Sequence, residues 1–595
     1  MKATAPRGLG TGPDEGRTSH ADRMTVYLAI LLALLLGALD QTIVATALPR
    51  IVEDLAGVER YTWVTTMYLL ASTSLALVYG KLADTYARKH VTLAAVGLFL
   101  GGSVACGLAG IAGPLPLLGD GMSQLVISRG VQGMGAGGIF AMTFIVIADL
   151  FTPAERGKYQ GYVGAVFGVS SVMGPLLGGL LTDHAGSWMP GIAGWRWVFL
   201  VNMPIGGIAL WHILRRMPLL EAAPGATRPD FAGAGLLVGG LVPLVVGLQI
   251  DKQASPWLPW LASAPMAAEG AVASGGWQLW ATPGLLALSA ILLVAFVRRS
   301  RAVEGPILEP RLFSEPVFRR ATLATFFFGA AFISINIFVP LFLVSTRGVS
   351  ATEAGLVLIP FSLGIVISAT LAGQVASRIG YRRQIVAGTA VFFLGAVLLA
   401  RMDPSTAYWQ VYLCTILCGL GAGPGMPLFT LAIQNATDVR FVGQATSASQ
   451  FFRQTGATMG AAAMGAVLTF TLAATFSTLD AELRDRTRGR VSAQAYVSRG
   501  GVGLPEAILA AFEERAGEAD SPDGAVALRT EGRAVARESA DRVRLAFTRA
   551  SQRIYWLVAF LTLAAGVLAA RIPEIPLRRT HDRAKMERTG KEAEA

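Results

Sequence analysis

Apolar runs of about twenty residues recur from one end of this chain to the other, and that recurrence limits the folds open to it. At a rise of about 1.5 Å per residue, each run can cross a hydrocarbon layer about 30 Å thick as a helix. Water is absent there, so the backbone must satisfy its own hydrogen bonds, and helices do so segment by segment. The short alternating segments of a transmembrane barrel do not occur. Only 15% of the 595 residues are charged, against about 25% in soluble domains. The expected fold is an all-α polytopic membrane protein.

Fourteen spanners are expected, at approximately 24–48, 61–83, 90–112, 122–148, 157–182, 195–214, 231–251, 279–298, 319–343, 352–377, 383–401, 407–434, 442–476 and 553–571. An even number leaves both termini on one side, and Lys and Arg decide which. Lys81, Arg88 and Lys89, then Arg215 and Arg216, Arg298, Arg299 and Arg301, Arg319 and Arg320, and Arg378, Arg382 and Arg383 fall on every second loop. Arg578, Arg579, Arg583, Lys585, Arg588 and Lys591 crowd the C-terminal tail. Both termini are therefore expected in the cytoplasm, with the chain multi-pass in the cell membrane. The formal charge of +11 reads as this topology signal, with anionic lipid as a contact, and not as nucleic-acid binding. The first run lacks a small-residue cleavage site and reads as a retained spanner rather than a signal peptide.

Two outer loops stand apart. Residues 252–278 carry Trp257, Trp260 and Trp277 among prolines, as in a segment lying at the membrane interface. Residues 477–552 mix Arg with acids and look helical around 505–512 and 531–547. They read as extended ends of the flanking spanners or as a small helical hairpin, serving as a solvated cap or as a docking surface. Cys106, Cys414 and Cys418 all lie inside apolar runs and are assigned to packing. There is no phosphate-binding Gly-x-x-x-x-Gly-Lys-Ser/Thr, and the five His form no metal-spaced cluster. No cofactor, metal, ATP use or enzyme activity is expected.

Charge inside the spanners carries the functional signal. Asp40 interrupts the first run, within Leu39-Asp40-Gln41-Thr42-Ile43-Val44-Ala45-Thr46-Ala47-Leu48-Pro49. A carboxylate at the bilayer centre costs about 2.5–3.5 kcal/mol on insertion scales, so it is expected to face a cavity. It either binds a proton or cation, or is a buried acid satisfied by hydroxyls such as Thr42. Arg129 raises the same question in the fourth run, within Ser128-Arg129-Gly130-Val131-Gln132-Gly133-Met134-Gly135-Ala136-Gly137. In the thirteenth, Arg453 and Gln454 form another polar spot, with Arg453 pairing with an acid across a cavity or binding carbonyls. Gln132, Arg453 and Gln454 are the cavity polar candidates.

The chain also repeats itself. Gly80-Lys81-Leu82-Ala83-Asp84-Thr85-Tyr86-Ala87-Arg88-Lys89 follows the second spanner, and Gly373-Gln374-Val375-Ala376-Ser377-Arg378-Ile379-Gly380-Tyr381-Arg382-Arg383 follows the tenth. They match as the same connection in two six-helix halves, a build common among secondary transporters. The fifth spanner adds Gly161 and Gly174-Pro175-Leu176-Leu177-Gly178-Gly179, and the sixth Trp195-Arg196-Trp197-Val198-Phe199 with Asn202 and Pro204. Pro175 removes a helix hydrogen bond, so a kink or hinge is expected. Gly423-Pro424-Gly425-Met426-Pro427 points to a bent helix in the second half.

These motifs together resemble the major facilitator superfamily, in particular the fourteen-spanner drug:proton antiporters of the QacA/EmrB type. The resemblance covers roughly residues 24–476 and 553–578. The family's loop usually has glycine where this chain has Ala87 and a basic residue where it has Thr85, and its fifth-spanner motif has glycine where Ser170 stands. The resemblance implies a cytoplasmic tail at 1–23, a six-helix half at 24–214, a linker with two added spanners at 215–318, a second half at 319–571 bearing the 477–552 extension, and a tail at 572–595. It implies proton coupling at Asp40 and Arg129, with Arg129 as relay or as structural anchor. Gly80, Asp84, Arg88 and Lys89 would form a conformational latch, Asp84 capping a helix of the other half or pairing with Arg, and Arg88 and Lys89 anchoring at the inner surface. Gly161, Gly174, Pro175, Gly178 and Gly179 would form an antiporter motif. The implied function is proton-coupled efflux of lipophilic or cationic small molecules by a monomer. Export of an envelope lipid or endogenous metabolite is the alternative, and a non-transporting receptor or scaffold is the other.

Overall fold

The computed structural model describes residues 20–577 apart from 56–59, 117, 189–191, 219–227, 250–275, 350, 494–502 and 519–520. The first half comprises α1 (His20–Leu55), α2 (Tyr61–Thr85), α3 (Arg88–Leu108), α4 (Gly121–Leu150), α5 (Pro153–Trp188), a short α6 (Trp197–Leu200) and α7 (Asn202–Arg216). Then come α8 (Phe231–Gln249) and α9 (Gly276–Ala302). The second half comprises α10 (Pro316–Arg347), a short α11 (Ala351–Leu356), α12 (Leu358–Ile379), α13 (Tyr381–Leu399), α14 (Tyr408–Ala422), α15 (Gly425–Ala436), α16 (Val442–Arg486), α17 (Leu504–Gly517) and α18 (Pro522–Ala570). No strand occurs among the described residues.

Among the described residues, twelve helical stretches are long and apolar enough to cross a membrane. Two of the fourteen expected spanners fall outside that set, for different reasons. The one expected at 61–83 is α2, diluted by Thr and Ser and ending in Lys81 and Asp84. The one expected at 231–251 is α8, whose apolar stretch Phe231–Gly247 is short. Other boundaries shift as well. Pro49 does not end the first helix, which continues to Leu55. The stretch expected as one helix at 195–214 is broken into the 3₁₀ turn Gly194–Arg196, α6 and α7. The bend expected near Pro424 is a break between α14 and α15, whereas α5 continues unbroken through Pro175.

Within the first half, α4 is clasped between α2 and α3, while α5 and α7 pack on α1. Its core runs through Tyr68, Phe99, Phe140 and Phe144. In the second half, α16 and α18 pack on α10, and α13 lies between α14 and α18. Helix α8 pairs with α9 and reaches both α2 and α16. The pair is tied at one end by Arg299, whose Nε donates to Asp230 at 2.8 Å.

The end where α2 passes into α3 is termed basal, and the opposite end distal. At the distal end both alternatives expected for 477–552 are combined: α16 and α18 run on for 45 and 49 residues, and α17 packs across them. Phe476, Leu479, Leu483, Ile508, Phe512, Val535 and Phe547 give this extension its own buried core. Arg542 links α18 to Glu482 of α16 at 2.6 Å. The expected interfacial segment at 252–278 falls almost wholly outside the described residues, as do both terminal tails.

Candidate functional site

Asp40 lies on α1 where α2, α3, α4 and α7 converge, and no part of it is exposed. Its Oδ2 accepts from Arg129 Nη1 of α4 at 2.5 Å. Its Oδ1 accepts from Gln132 Nε2 at 2.8 Å and from Asn202 Nδ2 of α7 at 3.3 Å. Arg129 and Gln132 are three apart, so one face of α4 presents both, and Arg129 Nη1 also donates to Gln132 Oε1 at 2.8 Å. Arg129 Nε donates to the Val64 carbonyl at 3.3 Å, and its guanidinium sits 4.2 Å from the centre of the Tyr68 ring. Ser103 of α3 closes the cluster, accepting from Asn202 at 2.9 Å and Gln132 at 3.2 Å. An ion pair this deep is compensated only if its remaining donors and acceptors are satisfied, and most are met here.

Asp40, Arg129 and Gln132 come together, but Thr42, the hydroxyl offered by the alternative of a buried and satisfied acid, is not among the acid's partners. Thr42 points away and donates to the carbonyls of Leu39 and Ser170, at 3.0 and 2.9 Å. Asn202, Ser103 and Tyr68 were not foreseen as site residues. Their signal was a polar atom within an apolar helix, which many satisfied Ser and Asn residues share.

The residues expected to form a latch lie near the basal seam. A Cβ on Gly80 would collide with Ser447 of α16, so the helices touch there through glycine. Asp84 does both things expected of it. It accepts from the backbone N–H groups of Gly443 (3.0 Å) and Gln444 (2.9 Å), capping α16 of the opposite half, and lies 3.9 Å from Arg88. Arg88 is not a surface anchor: it is 6% exposed, bonded to the Ala83 carbonyl and paired with Asp149 of α4 at 3.1 Å. Lys89 is half-buried beside it.

The α5 motif divides into three. Gly161 faces α12, where a Cβ would stand 2.7 Å from the Ala369 carbonyl. Gly174 and Gly178 face α1, against Thr42 and against the Ile43 carbonyl. Gly179 meets nothing. Glycine is therefore required by packing at the first three positions, between halves at one and within a half at two.

Arg453 and Gln454 lie midway between the halves and diverge. Gln454 Oε1 accepts from Thr73 of α2 at 3.0 Å and from Ser72 at 3.4 Å. Arg453 meets no acid among the described residues, and the carbonyl it binds belongs to a side chain rather than to the backbone. It bonds Gln450 Oε1 through Nε (3.2 Å) and Nη2 (2.9 Å). Among the described residues, no group of three or more His, Cys, Asp or Glu has metal-site geometry.

The family model described as Major Facilitator Superfamily matches residues 30–461. The chain is 35% identical over 454 residues to the multidrug transporter protein MdtP of Bacillus subtilis, covering 76% of each. It is 34% identical over 457 residues to multidrug resistance protein 3 of the same organism, covering 77% of this chain and 81% of that one. Among solved structures, the proton:xylose symporter XylE superposes with a TM-score of 0.52 at 12% identity, over 94% of this chain and 97% of that one. The human organic anion transporter MFSD10 gives 0.51 at 14% identity, over 91% and 99%. At such identities these two establish the fold alone. With its apolar spans and these relatives, the chain is a multi-pass membrane protein of a transporter family rather than an enzyme. It belongs to the Major Facilitator Superfamily.

Proposed function

We propose that this chain is a proton-coupled antiporter that exports lipophilic small molecules across the cell membrane. The observation that carries the reading is the enclosed Asp40–Arg129 pair at 2.5 Å, in a fold shared with relatives named for multidrug transport. Protonation of Asp40 removes the charge that holds Arg129 and leaves the guanidinium to its contacts with Gln132, Val64 and Tyr68. A change of proton occupancy thereby becomes a change in how α1 and α4 are tied.

The same reading takes α2 and α8 as spanners beside the twelve apolar stretches, giving fourteen with both termini cytoplasmic. It is supported by α2 packing against α4 and α16, both apolar spans, and by α8 lying along α2 and α9. The two six-helix halves correspond to 24–214 and 319–571, with the linker 215–318 between them. With the basal end cytoplasmic, the Asp84 cap and the Gly80 contact close the inner side, which corresponds to an outward-open state of a monomer. Each elementary charge moved inward supplies about 2.3 kcal/mol per 100 mV, enough to drive uphill export at one-to-one coupling.

The deciding experiment is dye efflux from proteoliposomes under an imposed pH gradient. Asp40→Asn keeps the amide bonds from Gln132 and Asn202 available, yet neither takes up nor releases a proton in the working pH range. It is expected to abolish gradient-driven efflux while retaining dye binding. Gradient-driven efflux at wild-type rate in Asp40→Asn would exclude Asp40 as the coupling group.

A further inference from the structure

Outside the distal extension and away from the helix ends, the described spans carry one carboxylate, Asp40, and two guanidiniums, Arg129 and Arg453. Asp40 and Arg129 neutralise each other. Arg453 is left with a whole positive charge and, among the described residues, no acid to meet it. An intramembrane ionisable residue is expensive and implies a partner. Here the protein supplies only a neutral one.

The surroundings indicate what is missing. Gln450 is turned with its oxygen toward Arg453 while its amide nitrogen donates to Thr430 Oγ1 at 3.3 Å, so the guanidinium is oriented without being neutralised. Both bonds to Gln450 use Nε and Nη2, and Nη1 bonds no described residue. The side chain is half-buried and reaches across the seam, its Cζ 5.9 Å from the centre of the Phe167 ring on α5. Phe167 is itself stacked on Phe140, with centroids 5.8 Å apart and planes 15° apart. A cationic fork with a free edge beside an aromatic face suits a flat molecule bearing an acid group.

We propose that Arg453 and Phe167 form an anion subsite between the halves, which takes the carboxylate of an amphipathic aromatic acid while the ring of that ligand lies along Phe167. This rests on the efflux reading and narrows its lipophilic cargo to organic anions. A free cation repels a second cation, and Asp40, the carboxylate that would attract one, is already engaged by three donors.

The test uses the purified full-length protein and three matched probes: 1-naphthoate, 1-naphthamide and 1-naphthylmethylammonium, with binding read by isothermal titration calorimetry. Wild type is expected to bind naphthoate at least tenfold tighter than the other two. Arg453→Gln is expected to erase that preference and leave naphthamide affinity within about twofold, while Arg453→Lys keeps part of it because charge survives and the planar fork does not. Equal affinity of wild type for naphthoate and naphthamide overturns the subsite, as does an undiminished preference in Arg453→Gln or the absence of binding by all three. If Arg453→Gln does not fold, the wild-type comparison and Arg453→Lys decide. Gradient-driven flux of a neutral lipophilic dye is measured in parallel on wild type. Dye flux without a naphthoate preference removes the subsite alone, and a naphthoate preference without flux removes the efflux reading alone.

Discussion

Asp84 of α2 and Gly443 of α16 belong to different halves, yet the carboxylate of one caps the first turn of the other at 3.0 Å. The second oxygen accepts from Gln444 at 2.9 Å, so the acid meets two orphan N–H groups at the positive end of a 45-residue helix. Asp84→Asn keeps one acceptor and sets an NH₂ against the other donor. The expected effect is a loss of about 1–2 kcal/mol from basal closure. Hydrogen exchange at residues 443–447 should then accelerate several-fold, and an unchanged rate would show that the cap does not hold the seam.

Gly174 and Gly179 share a motif and differ in surroundings. A methyl at Gly174 runs into Thr42, which is held in place by bonds to two carbonyls. Gly174→Ala is expected to destabilise by about 1–3 kcal/mol through overpacking. Gly179 faces open space, so Gly179→Ala is expected to be neutral or to stabilise by up to about 1 kcal/mol, the helix-propensity difference. Thermal unfolding followed by tryptophan fluorescence separates the two, and equal midpoints for both variants would contradict the packing assignment.

The Asp40–Arg129 pair calls for a double-mutant cycle. Arg129→Ala leaves an uncompensated enclosed carboxylate and is expected to cost about 3–5 kcal/mol, whereas removing both charges leaves none. Adding Asp40→Asn should therefore restore part of the unfolding midpoint lost in Arg129→Ala. Effects that add within about 0.5 kcal/mol would mean that the two groups do not sense each other in the folded protein.

Spacing along one helix was readable in the sequence, and registry between helices was not. Arg129 and Gln132 stand three apart on α4, so their common face follows from the helix period alone. That Asn202 and Ser103 complete the cluster depends on how α7 and α3 slide against α1, which no local pattern encodes. Thr42 does not serve Asp40, because residues two apart on a helix point nearly opposite ways, and its hydroxyl bonds its own turn and α5 instead. The burial of Arg88 has the same origin, because the Ala83 carbonyl and Asp149 of α4 satisfy a guanidinium that the isolated segment would leave exposed.

A second clasp closes the basal seam beside the Asp84 cap. Gln434 of α15 accepts from Gln160 Nε2 of α5 at 2.8 Å and donates to the Phe144 carbonyl of α4 at 3.2 Å and to Thr446 Oγ1 of α16 at 3.0 Å. Gln160 is fully enclosed and Gln434 is 2% exposed, so water does not replace these bonds while the seam is shut. Gln434→Leu strands the Gln160 amide, at about 1–3 kcal/mol for a buried group left unpaired, while the Phe144 carbonyl keeps its partner within α4. That penalty is relieved only by opening, which shifts the ratio of open to closed seam by roughly tenfold or more. A cysteine at Ser447, which faces Gly80 across the seam, reports the shift through its maleimide labelling rate. The three native cysteines are buried and leave a low background. Labelling of Ser447→Cys is expected to rise at least fivefold when combined with Gln434→Leu. An unchanged rate would mean that Gln434 packs the seam without holding it shut.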